Sequence, residues 1–274
     1  EELTETVEPT VEGNLLHDVL ARFMALHLQE KLTKYPQKQL VSQLDDIMTS
    51  VCEEYIENNK IAVTDFWPSQ RRRLNLLLRR WLERELAYQR EWEPFVPVKI
   101  EWDFGKNGST PLALSVAGGK IYLNGRIDRI DSDGSGLFVT DYKRGATPSG
   151  SDLTAGLDLQ MPVYLLALAA LEPQNVVLGG GYYSLKEARR KGGFALQALG
   201  KTPFTINNKP FSEGDDQWSD FSDFCRITIR GYADALHQGI FPPAPRKKCP
   251  EFCPGKDICR AYGSLAAEGG EENV

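Results

Sequence analysis

At 274 residues, 41% of them hydrophobic, the chain is long enough for one large domain or two small ones with a proper core. Its formal net charge of −6 excludes a uniformly basic nucleic-acid-binding surface and leaves only local clusters: Arg71 to Arg73, Arg79 and Arg80, Arg189 to Lys191, Arg246 to Lys248. The longest apolar run, residues 163–171, is too short to cross a membrane. With no signal peptide and no initiator Met before Glu1, the sequence reads as a cytoplasmic piece of a longer polypeptide.

Residues 1–12 are polar and carry no periodic signal. From Glu12 onward Leu16, Val19, Leu20, Phe23 and Leu26 recur at helical spacing, which predicts an amphipathic helix running until Tyr35-Pro36 breaks it. His17 falls one turn after Gly13 at the edge of that stripe, and the missing side chain at Gly13 leaves the space above the imidazole open. A lone histidine in such a place is ordinarily a satisfied, half-buried one. Two more helices are predicted over 37–59 and 69–91, the second entered through Pro68 with Ser69 as N-cap. In the second, Leu74, Leu77, Leu78, Trp81 and Leu82 oppose arginines, a pattern that fits either a solvated basic face or a helix tracking a nucleic-acid backbone. Together they read as a helical insertion over about 35–95.

The spacing then predicts strands at Val96–Phe104 and Leu112–Val116. Glu101 lies in the first, in a register no turn fixes, and reads as an ordinary surface residue with only a weak claim on a site. Residues 120–143 form two strand-like runs about a turn at Asp133-Gly134-Ser135-Gly136, hence a hairpin centred near Gly134 and Ser135. That centre sets Ser132 opposite Leu137, Ile130 opposite Val139 and Asp128 opposite Asp141. Two aspartates facing each other destabilise a sheet. A divalent cation relieves that repulsion, since Mg²⁺ and Mn²⁺ favour carboxylate and carbonyl oxygens. Lys143, two residues after Asp141, shares its face. Asp131 and Asp133 read as solvated turn charges.

Beyond the hairpin, 147–151 reads as a loop and 157–171 as a helix that stacks Gln160 and Tyr164 on one face. Residues 176–185 read as the last core strand, 186–193 as a partly mobile basic loop, and 215–238 as a final long helix. Cys249, Cys253 and Cys259 then lie within eleven residues, with Pro250 and Pro254 beside two of them. Such clustering is better explained by thiolate ligands than by scattered core thiols. Zinc ligation and a disulfide remain alternatives.

GNLLH (Gly13 to His17), GRIDRID (Gly125 to Asp131), DYK (Asp141 to Lys143) and QMPVY (Gln160 to Tyr164) follow in the order helix, strand, strand, helix. This set resembles the PD-(D/E)xK nuclease superfamily, specifically its RecB/AddB-type branch, whose pattern is G-x-x-x-H, G-x-x-D-R, D-x-K and Q-x-x-x-Y. A lone D-x-K carries no signal; the four in order are specific. The resemblance implies a restriction-endonuclease-like α/β fold, a mixed sheet of about four to five strands flanked by helices. It would form a single domain over 1–262 with the helical insertion, a Cys-rich segment at 246–262 and a flexible tail at 263–274.

It also implies metal-dependent hydrolysis of DNA phosphodiester bonds. Asp128, Asp141, His17 and the backbone carbonyl of Tyr142 would hold Mg²⁺ or Mn²⁺, Lys143 would position water or steady the phosphate, and Gln160 and Tyr164 would contact DNA. The implied partners are single- or double-stranded DNA ends and the remainder of a larger helicase-nuclease; the implied role is exonucleolytic end resection in recombinational repair. The cysteine triplet resembles that of iron-sulfur RecB-type and CRISPR-associated nucleases, which implies a 4Fe-4S cluster whose fourth cysteine precedes the histidine helix. This sequence departs from that pattern, with three residues between Cys249 and Cys253 and no cysteine before His17. A fourth ligand upstream of Glu1 accounts for the second departure; the other readings are an absent cluster or, less favoured, Cys52 or Cys225 as the substitute. The alternative is a catalytically inactive DNA-binding module of the same fold, held by the cluster.

Overall fold

The computed structural model describes residues 7–91, 95–196, 211 and 216–240. Three helices come first: α1 (Pro9–Ala25), α2 (Gln37–Glu57) and α3 (Trp67–Glu91). Leu16, Val19, Leu20 and Phe23 of α1, Leu40 and Leu44 of α2, and Leu74, Leu78 and Trp81 of α3 form one apolar cluster, so α2 and α3 share a core with the histidine helix. Two boundaries differ from expectation. α1 ends at Ala25, eleven residues before Pro36 would stop it, and a turn follows where Gln29 adopts a φ of 61°. α3 begins at Trp67, so Ser69 sits within its first turn, its amide donating to the Phe66 carbonyl at 3.1 Å.

There follow β1 (Val96–Phe104), β2 (Leu112–Val116), β3 (Gly119–Leu123), β4 (Gly125–Ser132), β5 (Gly136–Lys143), α4 (Gly150–Thr154), α5 (Gln160–Leu171), β6 (Val176–Ser184), β7 (Arg189–Ala195) and α6 (Gln217–His237). The main sheet runs β1-β4-β5-β6-β7, and β2 and β3 form a separate two-stranded sheet among the described residues. Within it β5 and β6 are parallel and the other pairs antiparallel. A five-stranded mixed sheet flanked by helices is the restriction-endonuclease-like layout. The apolar run before the hairpin is two strands, parted at Asn124. Residues 147–151, read as loop, run into the short helix α4.

The segment read as a basic loop after β6 is largely strand, β7. Its glycines make this possible: a Cβ at Gly193 (φ 90°) would lie 2.0 Å from the Gly180 carbonyl, so only glycine lets β7 close on β6 here.

The hairpin turn behaves as its residues dictate. Asp133 Oδ1 accepts from the amides of Ser135 (2.8 Å) and Gly136 (3.0 Å), fixing Ser132 opposite Leu137 and Ile130 opposite Val139. On this face Met161, Leu165 and Leu168 of α5 pack with Ile130, Val139 and Phe194. Each such buried side chain contributes roughly 1.5–3 kcal/mol. Leu165→Ala, cutting into the middle of that layer, costs about 2–5 kcal/mol.

Candidate active site

The β4/β5 ladder stops at Arg129 opposite Thr140, one step short of the two aspartates expected to face each other. Asp128 instead sends Oδ2 to the amide of Tyr142 at 2.7 Å, so a side chain replaces the next ladder bond and the strands spread. Its Oδ1 lies 3.3 Å from His17 Nδ1. A Cβ at Gly13 would meet nothing within 4 Å, so the space beside that position is open. Burial disfavours a charged His17, but Asp128, then Asp141 and Glu101, outweigh it and raise the imidazole pKa.

Asp141 is 1% exposed. Burial first, then repulsion from Asp128, raises its carboxyl to about 7, against the attraction of Lys143 and His17. Lys143 Nζ lies 2.7 Å from Asp141 Oδ2 and donates to Gln160 Oε1 at 2.6 Å. Gln160 Nε2 in turn donates to Asp141 Oδ1 (3.0 Å) and to the Tyr164 hydroxyl (2.9 Å). Every polar hydrogen and the carbonyl of that amide therefore have a partner, and the α5 residues hold the carboxylate and lysine in one orientation. Asp158 fixes the start of α5, accepting from the amide of Gln160 (3.1 Å) and from Tyr182 Oη (2.7 Å).

Sequence reasoning undervalued Glu101. One carboxylate oxygen of Glu101, one of Asp128 and one His17 nitrogen all lie within 4.8 Å of one another, a donor set with metal-ligand chemistry. Glu101 reaches that position with a φ of 49°, left-handed backbone inside a strand. Such a conformation costs a non-glycine residue about 1–3 kcal/mol. Nothing in the local sequence announces it. Arg126 Nη1 stands 3.3 Å from Glu101 and its Nε 2.7 Å from Asp103. Of the residues expected to gather, His17 and Asp128 form one contact pair and Asp141, Lys143, Gln160 and Tyr164 a second group; the Tyr142 amide, bonded to Asp128 and next to Asp141 in sequence, joins the two.

Arg129, the neighbour of Asp128 in the motif, points elsewhere. It reaches Glu85 (2.8 Å), Asp131 (2.7 Å) and the Tyr142 hydroxyl (3.2 Å), while Arg190 meets the other oxygen of Glu85 at 2.5 Å. Asp131 is thus buried at 1% exposure, a correction to its reading as a solvated turn charge. Cys249, Cys253 and Cys259 lie outside the described residues. Cys52 and Cys225 are both buried in helices, and burial pushes their thiols up to about 11 and about 12. No helix among the described residues is long and apolar enough to cross a membrane.

Residues 1–260 match the family described as the PD-(D/E)XK nuclease superfamily. The chain is 29% identical over 195 residues to an ATP-dependent helicase/deoxyribonuclease subunit of Acetivibrio thermocellus, covering 66% of this chain and 17% of that protein. It is 33% identical over 176 residues to the protein of the same name from Alkaliphilus metalliredigens, covering 60% and 15%. Over 100 residues, 32% of this chain and 9% of the other, it is 39% identical to that of Alkaliphilus oremlandii. The chain thus spans under a fifth of the length of these relatives.

Proposed function

Because the chain belongs to the PD-(D/E)XK nuclease superfamily, we propose that it is a divalent-metal-dependent nuclease hydrolysing DNA phosphodiester bonds, acting on DNA ends as an exonuclease. The observation that carries this is the junction of two groups: the His17, Glu101 and Asp128 donor set, and the Asp141–Lys143 pair locked by Gln160. Carboxylates crowded at low exposure beside one imidazole have surplus negative charge and hard oxygen donors, which fits Mg²⁺ or Mn²⁺. His17, Glu101, Asp128 and Asp141 would hold the ion, with the Tyr142 carbonyl as a further donor. When bound, such a cation supplies Lewis acidity at the phosphate and activates water.

The chain's own residues do the rest. Lys143 carries its positive charge beside Asp141 to a phosphate oxygen, where preorganised charge stabilises the transition state. Gln160 prevents that ammonium from swinging away, and Tyr164 braces Gln160. These contacts address a phosphodiester rather than base edges, so little sequence preference is expected.

The names of the relatives support reading the chain as the nuclease portion of a helicase-nuclease. DNA end resection as its role and a 4Fe-4S cluster on Cys249, Cys253 and Cys259 rest on the motif and cysteine patterns of the sequence. Digestion of end-labelled single- and double-stranded DNA in Mg²⁺, Mn²⁺ and chelator, with Asp141→Ala as control, tests the reading. Metal-dependent shortening lost in the variant is expected. No digestion in either metal, or equal digestion by the variant, rejects it.

A further inference from the structure

Cross-strand register carries the site two strands beyond the residues proposed for it. Asp141 pairs with Tyr182 on β6, and Tyr182 with Lys191 on β7; Lys143 pairs with Ser184, and Ser184 with Arg189. Paired residues of adjacent strands share a face, and residues two apart on one strand do also. Asp141, Lys143, Tyr182, Ser184, Lys191 and Arg189 therefore lie on the same side of the sheet. The contacts agree: Lys143 Nζ stands 5.4 Å from the Tyr182 ring centre. Arg190, between the two cations, faces the other way into the buried pair with Glu85. At about 4.8 Å per strand, Arg189 and Lys191 stand roughly 10 Å across the sheet from the Asp141–Lys143 pair.

Beside them is a cleft of about 280 Å³ walled by Arg189, Lys191 and the loop Thr147, Pro148 and Ser149. The cleft is built in place, since a Cβ at Gly192 (φ 62°) would lie 2.7 Å from the Pro148 carbonyl. Its two cations converge on one anion of the chain itself: Glu187 meets Arg189 at 2.6 Å and Lys191 at 2.9 Å, with side-chain exposures of 35%, 65% and 29%. A convergent pair of cations at a half-exposed carboxylate, on the catalytic face and a few nucleotides from the reacting centre, matches one ligand chemistry.

We infer that Arg189 and Lys191 form a subsite for a backbone phosphate of the nucleic acid two to three nucleotides from the bond being cut, and that Glu187 is the internal anion that phosphate competes with. At ~3.4 Å rise per nucleotide of a B-form strand, 10 Å corresponds to about three steps. The inference rests on the nuclease reading and extends it from the scissile bond to the flanking strand. Phosphate contacts of this kind position a strand and set salt dependence without reading sequence.

The test compares Arg189→Gln/Lys191→Gln, Glu187→Gln and an exposed control, Lys106→Gln, against wild type. Readouts are KM and kcat on a dinucleotide and on a longer oligonucleotide, the salt slope of oligonucleotide binding in Ca²⁺, and the melting temperature. The double variant is expected to raise KM on the oligonucleotide about tenfold, leave KM on the dinucleotide unmoved, and flatten the salt slope by about 1.8. Glu187→Gln is expected to lower the oligonucleotide KM, and Lys106→Gln to match wild type. Equal effects of the double variant on both substrates would mean general electrostatic attraction and overturn the subsite, as would an unchanged KM and slope. If wild type cleaves neither substrate with Mg²⁺ or Mn²⁺, the nuclease reading itself has failed; if it cleaves and the variants behave as wild type, only the subsite has.

Discussion

Two adjacent residues of β4 belong to opposite kinds of charge cluster. Asp128 joins Glu101 and Asp141, three carboxylates served by Lys143, an exposed Arg126 shared with Asp103, and the imidazole of His17. Arg129 joins Glu85, Asp131 and Arg190, where two guanidiniums face two carboxylates and Glu85 and Arg129 are 0% and 1% exposed. The second cluster is neutralised by its own members, with Arg190 also stacked 3.6 Å over the Tyr88 ring. The first is left short of positive charge. The same strand thus carries balanced buried charge on one side and, on the other, the carboxylate surplus on which the proposed metal site rests.

The largest effect expected from that contrast is on activity. Asp128→Ala or Lys143→Ala should lower the rate of metal-dependent cleavage by about 10²–10⁴-fold, in the range of lost acid-base or electrostatic contributions, with far-ultraviolet circular dichroism unchanged. Glu85→Gln breaks the other cluster and should do the reverse. It leaves two buried guanidiniums short of an anion at a cost of about 3–5 kcal/mol, read in urea unfolding, while folded protein retains its cleavage rate. A rate loss from Glu85→Gln equal to that of Asp128→Ala would dissolve the distinction.

The pH dependence of stability separates the clusters by sign. Burial opposes the charge of Glu85, but Arg129 and Arg190 more than reverse this and hold its carboxyl at about 2, below the unfolded value of 4.5. Its contribution is complete above 4.5 and is lost as pH falls toward 2, tempered by Asp131, which burial raises. Asp141 moves the other way, to about 7 from 3.8, so in chelator the folded protein holds the extra proton and stability falls as pH rises from about 4 to 7. Asp141→Asn should remove that decline and stabilise the chelated protein at pH 8 by an amount on the order of a few kcal/mol. If Asp141→Asn destabilises at pH 8, the carboxylate is not under repulsion.

How much of this was legible follows the same divide. The hairpin register could be read because Asp133, Gly134 and Gly136 fix the turn, and every paired residue up to Arg129 and Thr140 follows from it. The spreading beyond could not, because it depends on a side chain of Asp128 taking a backbone amide. β7 was hidden because Gly192, Gly193 and its basic residues carry turn and loop signals, while its pairing depends on glycines of β6 as well. The role of Asp131 needed Glu85 of α3, forty-six residues away in sequence, to bring an arginine between them. Motif residues near one another in the hairpin were legible; those completed by α3 or by an unusual backbone angle were not.

Glu101 gives the smallest and most local test. Its φ of 49° strains any side-chain-bearing residue, so Glu101→Gly should be more stable than Glu101→Ala by about 1 kcal/mol, although glycine ordinarily weakens a strand. Both should raise the metal concentration needed for half-maximal cleavage, because both lose the carboxylate set within 4.8 Å of His17 and Asp128. The two readouts separate backbone from side chain: stability should follow the presence of a Cβ, and metal dependence the presence of the carboxylate. An alanine variant as stable as the glycine one would mean the strand relaxes to ordinary extended backbone once the carboxylate is gone. The strain would then be imposed by the crowding of Glu101 against Asp128 and Arg126 rather than by the path of β1 itself.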